Sequence, residues 1–263
     1  MKFSQNSSTF SGFTQEQAIR LADNYTAAVQ MGDVDWLEHA VATNPLSLDN
    51  RRWLANLDLP DKQNMFVIHA VATDNHRLLG FLLREGAGPD AALPHAQMKR
   101  DSKAVKMLCD ANADANMVYQ GVPLLNLSAV LWDAESCRHL LEAKAEVNAY
   151  RSQDQTCTAL YDCLGAYQQK VTTGEHDHAP QELLQQQDCK DALRTMGVLL
   201  EYNANPHQKS GPDILSAYEL AESFSAFDQR PLTHIQAWQQ EASAAAQASK
   251  LLARLKLGGL KPQ

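Results

Sequence analysis

Few side chains in this sequence have types and spacings that could do chemistry, and each group is incomplete. His176-Asp177-His178 could hold a metal ion between two imidazoles, but no further ligand is evident, and zinc sites draw on roughly three or four. The tripeptide lies in a polar stretch that reads as a solvated loop. Cys163, beside Tyr161 and Asp162, would need a histidine base and an oxyanion-binding loop to act as a nucleophile, and neither is identifiable. The five cysteines, at 109, 137, 157, 163 and 189, contain no Cys-x-x-Cys, and Cys157 and Cys163 lack a zinc spacing. They read as buried reduced thiols. The glycine pair Gly258-Gly259 falls at a predicted helix end and makes no phosphate-binding loop. No enzyme signature emerges, and neither cofactor nor metal is expected.

Composition narrows the partners. A chain of 263 residues with 44% hydrophobic content can bury a large core, as one domain or one array of repeats. A net charge of −8 argues against nucleic acid or an anionic membrane as partner, since both demand a basic face. No run approaches the roughly 18 apolar residues of a membrane span. The first residues are Ser- and Asn-rich, without the apolar run of a secretory signal.

The elements that organise the chain are four versions of a nine-residue phrase. Leu140-Leu141-Glu142-Ala143-Lys144-Ala145-Glu146-Val147-Asn148 is matched by phrases over 82–90, 108–116 and 199–207. Their central alanines, Ala87, Ala113, Ala145 and Ala204, fall 26, 32 and 59 residues apart. The last interval is one period of about 33 plus an insertion of roughly 26. In each phrase a Leu or Leu pair ends an amphipathic helix, and Gly, Asn or Lys takes the left-handed position. A small Ala follows, and Asn or Asp begins a turn.

Openings such as Val122-Pro123-Leu124-Leu125, Thr158-Ala159-Leu160-Tyr161 and Ser216-Ala217-Tyr218-Glu219-Leu220-Ala221 precede the helix pairs. With the closing phrases they resemble the ankyrin repeat, in which Thr-Pro-Leu-His opens a first helix and Leu-Leu-x-x-Gly-Ala-Asp-x-Asn closes the second. The resemblance covers about residues 20 to 225, although no unit carries the full Thr-Pro-Leu-His. It implies an all-α ankyrin-repeat solenoid of stacked helix pairs, with an atypical N-terminal unit and a C-terminal capping helix. It also implies that His69 is a structural histidine bonded to the backbone of a neighbouring turn.

In chain order, residues 1–13 are expected to be disordered. Residues 14–60 form an N-terminal helical cap or atypical repeat, opened by a Thr14/Gln17 capping box. Residues 61–228 hold the ankyrin repeats, with an insertion at about 169–187. Residues 229–263 form a helix and tail, with Ile235, Trp238, Ala242, Ala245, Leu252 and Leu255 at helical spacing for packing on the last repeat. Strand content should be near zero.

The expected function is non-catalytic: a protein–protein interaction scaffold that binds a protein partner through its concave face and turn tips. The candidate partner-binding residues are Met117, Tyr119, Tyr150 and Arg151 at tips, with Arg100, Trp132 and Tyr167 near helix ends, because aromatics and Arg commonly anchor interfaces. The expected protein is a cytoplasmic monomer. Two alternatives stand: a secreted bacterial effector translocated into a host cell, and an enzyme or metal protein using the insertion.

Overall fold

A computed structural model describes residues 13–258, except 45, 58–64, 151–156, 174–185, 210–213 and 227; side chains are described to residue 249. The described helices are α1 (Gln15–Met31), α2 (Val34–Thr43), α3 (Leu48–Ala55), α4 (Phe66–Ala72), α5 (His76–Arg84), α6 (Leu93–Met98), α7 (Ser102–Asp110), α8 (Leu124–Val130), α9 (Ala134–Glu142), α10 (Ala159–Thr173), α11 (Gln187–Glu201), α12 (Ala217–Ser223) and α13 (Arg230–Gly258). The described strands are the two-residue β1 (Val118–Tyr119) and β2 (Val122–Pro123). The fold is all-α, as expected.

The chain forms two compact units, one of residues 1–120 with 138–145, the other of residues 121–137 with 146–263. In the first, α1 begins with the expected capping box. Gln17 N donates to Thr14 Oγ1 at 3.2 Å and Thr14 N to Gln17 Oε1 at 2.8 Å. Helix α1 packs on α2, α4 on α5 and α6 on α7. Tyr25 of α1 lies in the core with Phe66 and Phe81, at ring distances of 6.0 and 6.4 Å. In the second unit α10 is the central helix, packed against α8, α11 and α12.

The four phrases fold alike. Gly86, Asn112, Lys144 and Asn203 all have positive φ, between 64° and 89°. The following alanine N–H returns to the carbonyl of the first Leu: Ala87 to Leu82, Ala113 to Leu108, Ala145 to Leu140 and Ala204 to Leu199, at 2.9–3.0 Å. The left-handed residue bonds one position later in the helix, which completes the paired closure that terminates a helix at such a position. All four first leucines are fully buried, which stabilises each helix end by about 1.5–3 kcal/mol.

Two expectations change. Helix α10 runs on to Thr173 and α11 begins at Gln187, so the ends of the predicted insertion continue helices. Lys170 of α10 pairs with Asp188 of α11, which ties those extensions together. Among the described side chains α13 packs at its start: Pro231 and Ile235 are buried and Trp238 is half-buried, but Ala242 and Ala245 are exposed, and Leu252 and Leu255 lie outside the described side chains. The Ala-rich stretch has the intrinsic propensity to stay helical without burial, so apolar spacing there does not signal packing. The expected disordered N-terminus at 1–13 falls, but for Phe13, outside the described residues, as does His176-Asp177-His178.

Candidate partner-binding surfaces

Two kinds of turn present the candidate side chains. Between first and second helices, Gly32, Asp74 and Arg100 in the first unit and Trp132 in the second hold positive φ. The next residue, Asp33, Asn75, Asp101 or Asp133, accepts the N–H three positions on with its Oδ1, at 2.9–3.1 Å. This is an N-cap placed immediately after a left-handed stop, so the chain reverses in two residues. Arg100, expected near a helix end, is exposed on such a turn just after α6.

Trp132 is half-exposed, with φ of 52°, a conformation a bulky residue rarely adopts. Its surroundings hold it there: Nε1 donates to the Cys163 carbonyl at 3.3 Å, and Lys170 Nζ stands 5.9 Å from the ring centre. The ring also meets Tyr167 edge-on at 6.5 Å.

Tyr167 requires a correction. It is 1% exposed, so a partner cannot reach it without unfolding α10's surroundings. Its hydroxyl donates to the buried Asp228 carboxylate and accepts from Arg230 Nη2 at 3.0 Å. Arg230 also contacts both Asp228 oxygens, and its own N–H caps onto Oδ1 at 3.0 Å. Burial and the Asp228 bond push the Tyr167 phenol far above its ordinary range. Burial alone would raise Asp228, but the bonds from Arg230 and Tyr167 outweigh it and hold that carboxyl below its ordinary value. This network fastens the start of α13 to α10. Apolar spacing in the sequence carried no sign of it.

At the tips, Met117 and Tyr119 are half-exposed, and Val118 between them is 47% exposed. Tyr150 is half-exposed too, but its hydroxyl donates to the Lys209 carbonyl at 3.0 Å, so it braces a neighbouring tip. Arg151 lies outside the described residues.

Sequence reasoning gave the last Asn or Asp of each phrase the task of starting a turn and missed its larger one. Asn56 takes the same part before the first phrase, donating to the Gly86 carbonyl at 3.0 Å and accepting from Gly88 N at 2.8 Å. Asp90 accepts from Asp114 N at 2.8 Å, and Asn116 donates to the Lys144 carbonyl at 3.3 Å. In the second unit Asn148 donates to the Asn203 carbonyl at 3.3 Å and accepts from Asn205 N at 2.7 Å. Asn or Asp at the ninth position of three of the four phrases, Asp90, Asn116 and Asn148, was the available signal.

His69 is half-buried, and its ring has no hydrogen bond among the described residues. The links between turns expected of it are made by two other side chains. Lys99 Nζ donates to the Val71 and Ala72 carbonyls at 2.9 and 3.0 Å and pairs with Asp74 at 2.5 Å. His76 Nε2 lies 2.8 and 3.0 Å from the two Asp101 oxygens.

The cysteines are all unbridged, and Cys137, Cys163 and Cys189 are buried. Burial pushes the Cys163 thiol up to about 12 and Cys109 up to about 11, which disfavours the nucleophilic thiolate. Among the described residues there is no cluster of three metal-ligating side chains, and no helix is long and apolar enough to cross a membrane.

The second helices carry charges that answer one another. Arg77 pairs with Asp35 and Glu38, and Arg84 with Glu38, in the first unit; Arg194 pairs with Glu135 in the second.

Helix pairs joined by left-handed stops, with a recurring closing phrase, define an all-α repeat protein. The chain is similar to the crystal structure of an ankyrin repeat domain from Acinetobacter baumannii AYE, with a TM-score of 0.60 and 16% identity over 82% of this chain and 97% of that one. The human ASB11 ankyrin repeat domain is also similar, with a TM-score of 0.43 and 17% identity over 80% and 96% of the two chains. No protein-family model and no curated protein matches the sequence. The fold is the ankyrin-repeat fold.

Proposed function

We propose that the protein is a non-catalytic scaffold that binds a protein partner through large side chains on its turns. The supporting observation is a contrast between surfaces. Several charges on the second helices are paired across neighbouring repeats, Arg77 with Asp35 and Glu38 and Arg194 with Glu135. The turns leave Met31 74% exposed, Met98 47% exposed and Val118 47% exposed, next to half-exposed Tyr119 and Met117. Apolar side chains held on rigid turns lose little freedom on binding, which favours an interface there. The raised thiol pKa values weigh against covalent chemistry at the cysteines.

A photocrosslinking residue in place of Tyr119 should give covalent adducts with a partner, whereas one in place of Arg84 should not. Against the captured partner, Tyr119→Ala should then lower affinity by about thirtyfold with melting unchanged. Equal adducts at both positions would overturn the reading.

A further inference from the structure

The end of α6, the turn after it and the start of α7 carry Met98, Lys99, Arg100, Asp101, Ser102 and Lys103 in succession. Its charges divide into engaged and unengaged. Lys99 is bound to two α4 carbonyls and to Asp74. The Asp101 carboxylate is held by His76 and by the N–H of Ala104 at 3.0 Å, so it turns away from its neighbours in sequence. Arg100 and Lys103, both exposed, have no partner among the described residues. Two positive charges without a partner among the described residues therefore stand close in sequence, one on the turn and one in the first turn of α7, in a chain whose net charge is −8. Beside them lies the half-exposed thioether of Met98.

The backbone keeps this arrangement fixed. Arg100 sits at φ of 55°, its N–H bonded to Gln97 O at 2.8 Å and that of Asp101 to Ala96 O at 2.9 Å. A guanidinium on so constrained a turn offers its planar fork with little loss of backbone freedom on binding, and that fork matches a carboxylate.

Resting on the scaffold reading above, we propose that this turn docks an acidic segment of the protein partner. One carboxylate lies on Arg100, a second near Lys103, and an apolar side chain rests against Met98. Charge complementarity carries the choice of occupant. A nucleic acid fits less well, because two cations neutralise few phosphates and the thioether has no use for a phosphate backbone.

The test is selection of binders to the full-length protein from a random twelve-residue peptide display library, followed by affinity measurement with the recovered synthetic peptides. Recovered sequences should be rich in Asp and Glu next to an apolar residue, and their binding should weaken with added salt. The double variant Arg100→Asn, Lys103→Gln should bind them at least about tenfold more weakly. Asn tolerates the left-handed position, so an unchanged melting temperature shows that the turn is intact. Peptides without acidic enrichment, or binding indifferent to the double variant, overturns the proposal. If such peptides still depend on Tyr119, the scaffold reading survives alone. If no peptide is recovered above background, or if only a single-stranded RNA oligonucleotide competes at this turn, both readings fail.

Discussion

The end of α9 and the outer half of α13 are both helical, for opposite reasons. At the end of α9, Leu140 is fully buried, Lys144 adopts a left-handed conformation, and Ala145 N–H closes on the Leu140 carbonyl at 2.9 Å. Tertiary burial and a terminating bond fix the helix there. From Gln240 to Ser249, α13 has every described side chain exposed, and its alanines keep it helical by backbone preference alone. A helix can thus be secured by what it packs against or by what it is made of, and identical apolar spacing serves both.

Leu140→Ala tests the first kind and should have the largest effect. A cavity at a fully buried Leu should cost roughly 2–5 kcal/mol, read as a lower denaturation midpoint at constant slope. A loss below about 1 kcal/mol would mean that this turn is not secured by burial and would collapse the contrast.

Between the extremes lies the start of α13, fastened by Tyr167, Asp228 and Arg230. Tyr167→Phe removes the phenol from a buried carboxylate and should cost about 1–3 kcal/mol, with faster hydrogen exchange in the first turns of α13. The same network predicts an acid response. Because folding holds the Asp228 carboxyl below its ordinary value of 3.8, its stabilisation is fully present above that pH. It is lost as pH falls through the still lower folded value. In Asp228→Asn that acid-dependent loosening of α13 should be absent. If the variant loosens at the same pH as the parent, another carboxylate controls the helix.

Removing residues 240–263 should have the smallest effect. Unfolding free energy should stay within about 0.5 kcal/mol of the parent, with little change in thermal midpoint, while the far-ultraviolet helical signal drops. A clear fall in midpoint would show that the outer half packs after all, and the distinction between the two helical regions would fail.

These regions also explain what could be read in the sequence. The closing phrases were legible because a left-handed residue followed by a small one, after a buried Leu, restricts residue choice at several consecutive positions. Gly86, Asn112, Lys144 and Asn203 were identifiable on that basis, and each holds a positive φ. The place of Arg100 near a helix end was legible from the break between helices. The burial of Tyr167 was not, because its partners Asp228 and Arg230 lie about sixty residues away and no local pattern announces a contact of that range. Ala242 and Ala245 misled for a related reason: alanine suits a packed helix and a solvated one equally well.

The bonds made by Asn56, Asn116 and Asn148 have a consequence for how the protein can change over generations. Each reaches main-chain atoms of the following turn and leaves that turn's side chain out of the contact. The residue whose carbonyl receives the amide can accordingly be Gly86, Lys144 or Asn203 without altering the link. Cohesion between successive turns is thereby written in a part of the chain that mutation does not alter. The outward-facing letters are left open to drift, and a lineage carrying this scaffold can acquire a new recognition surface without first relearning how to fold.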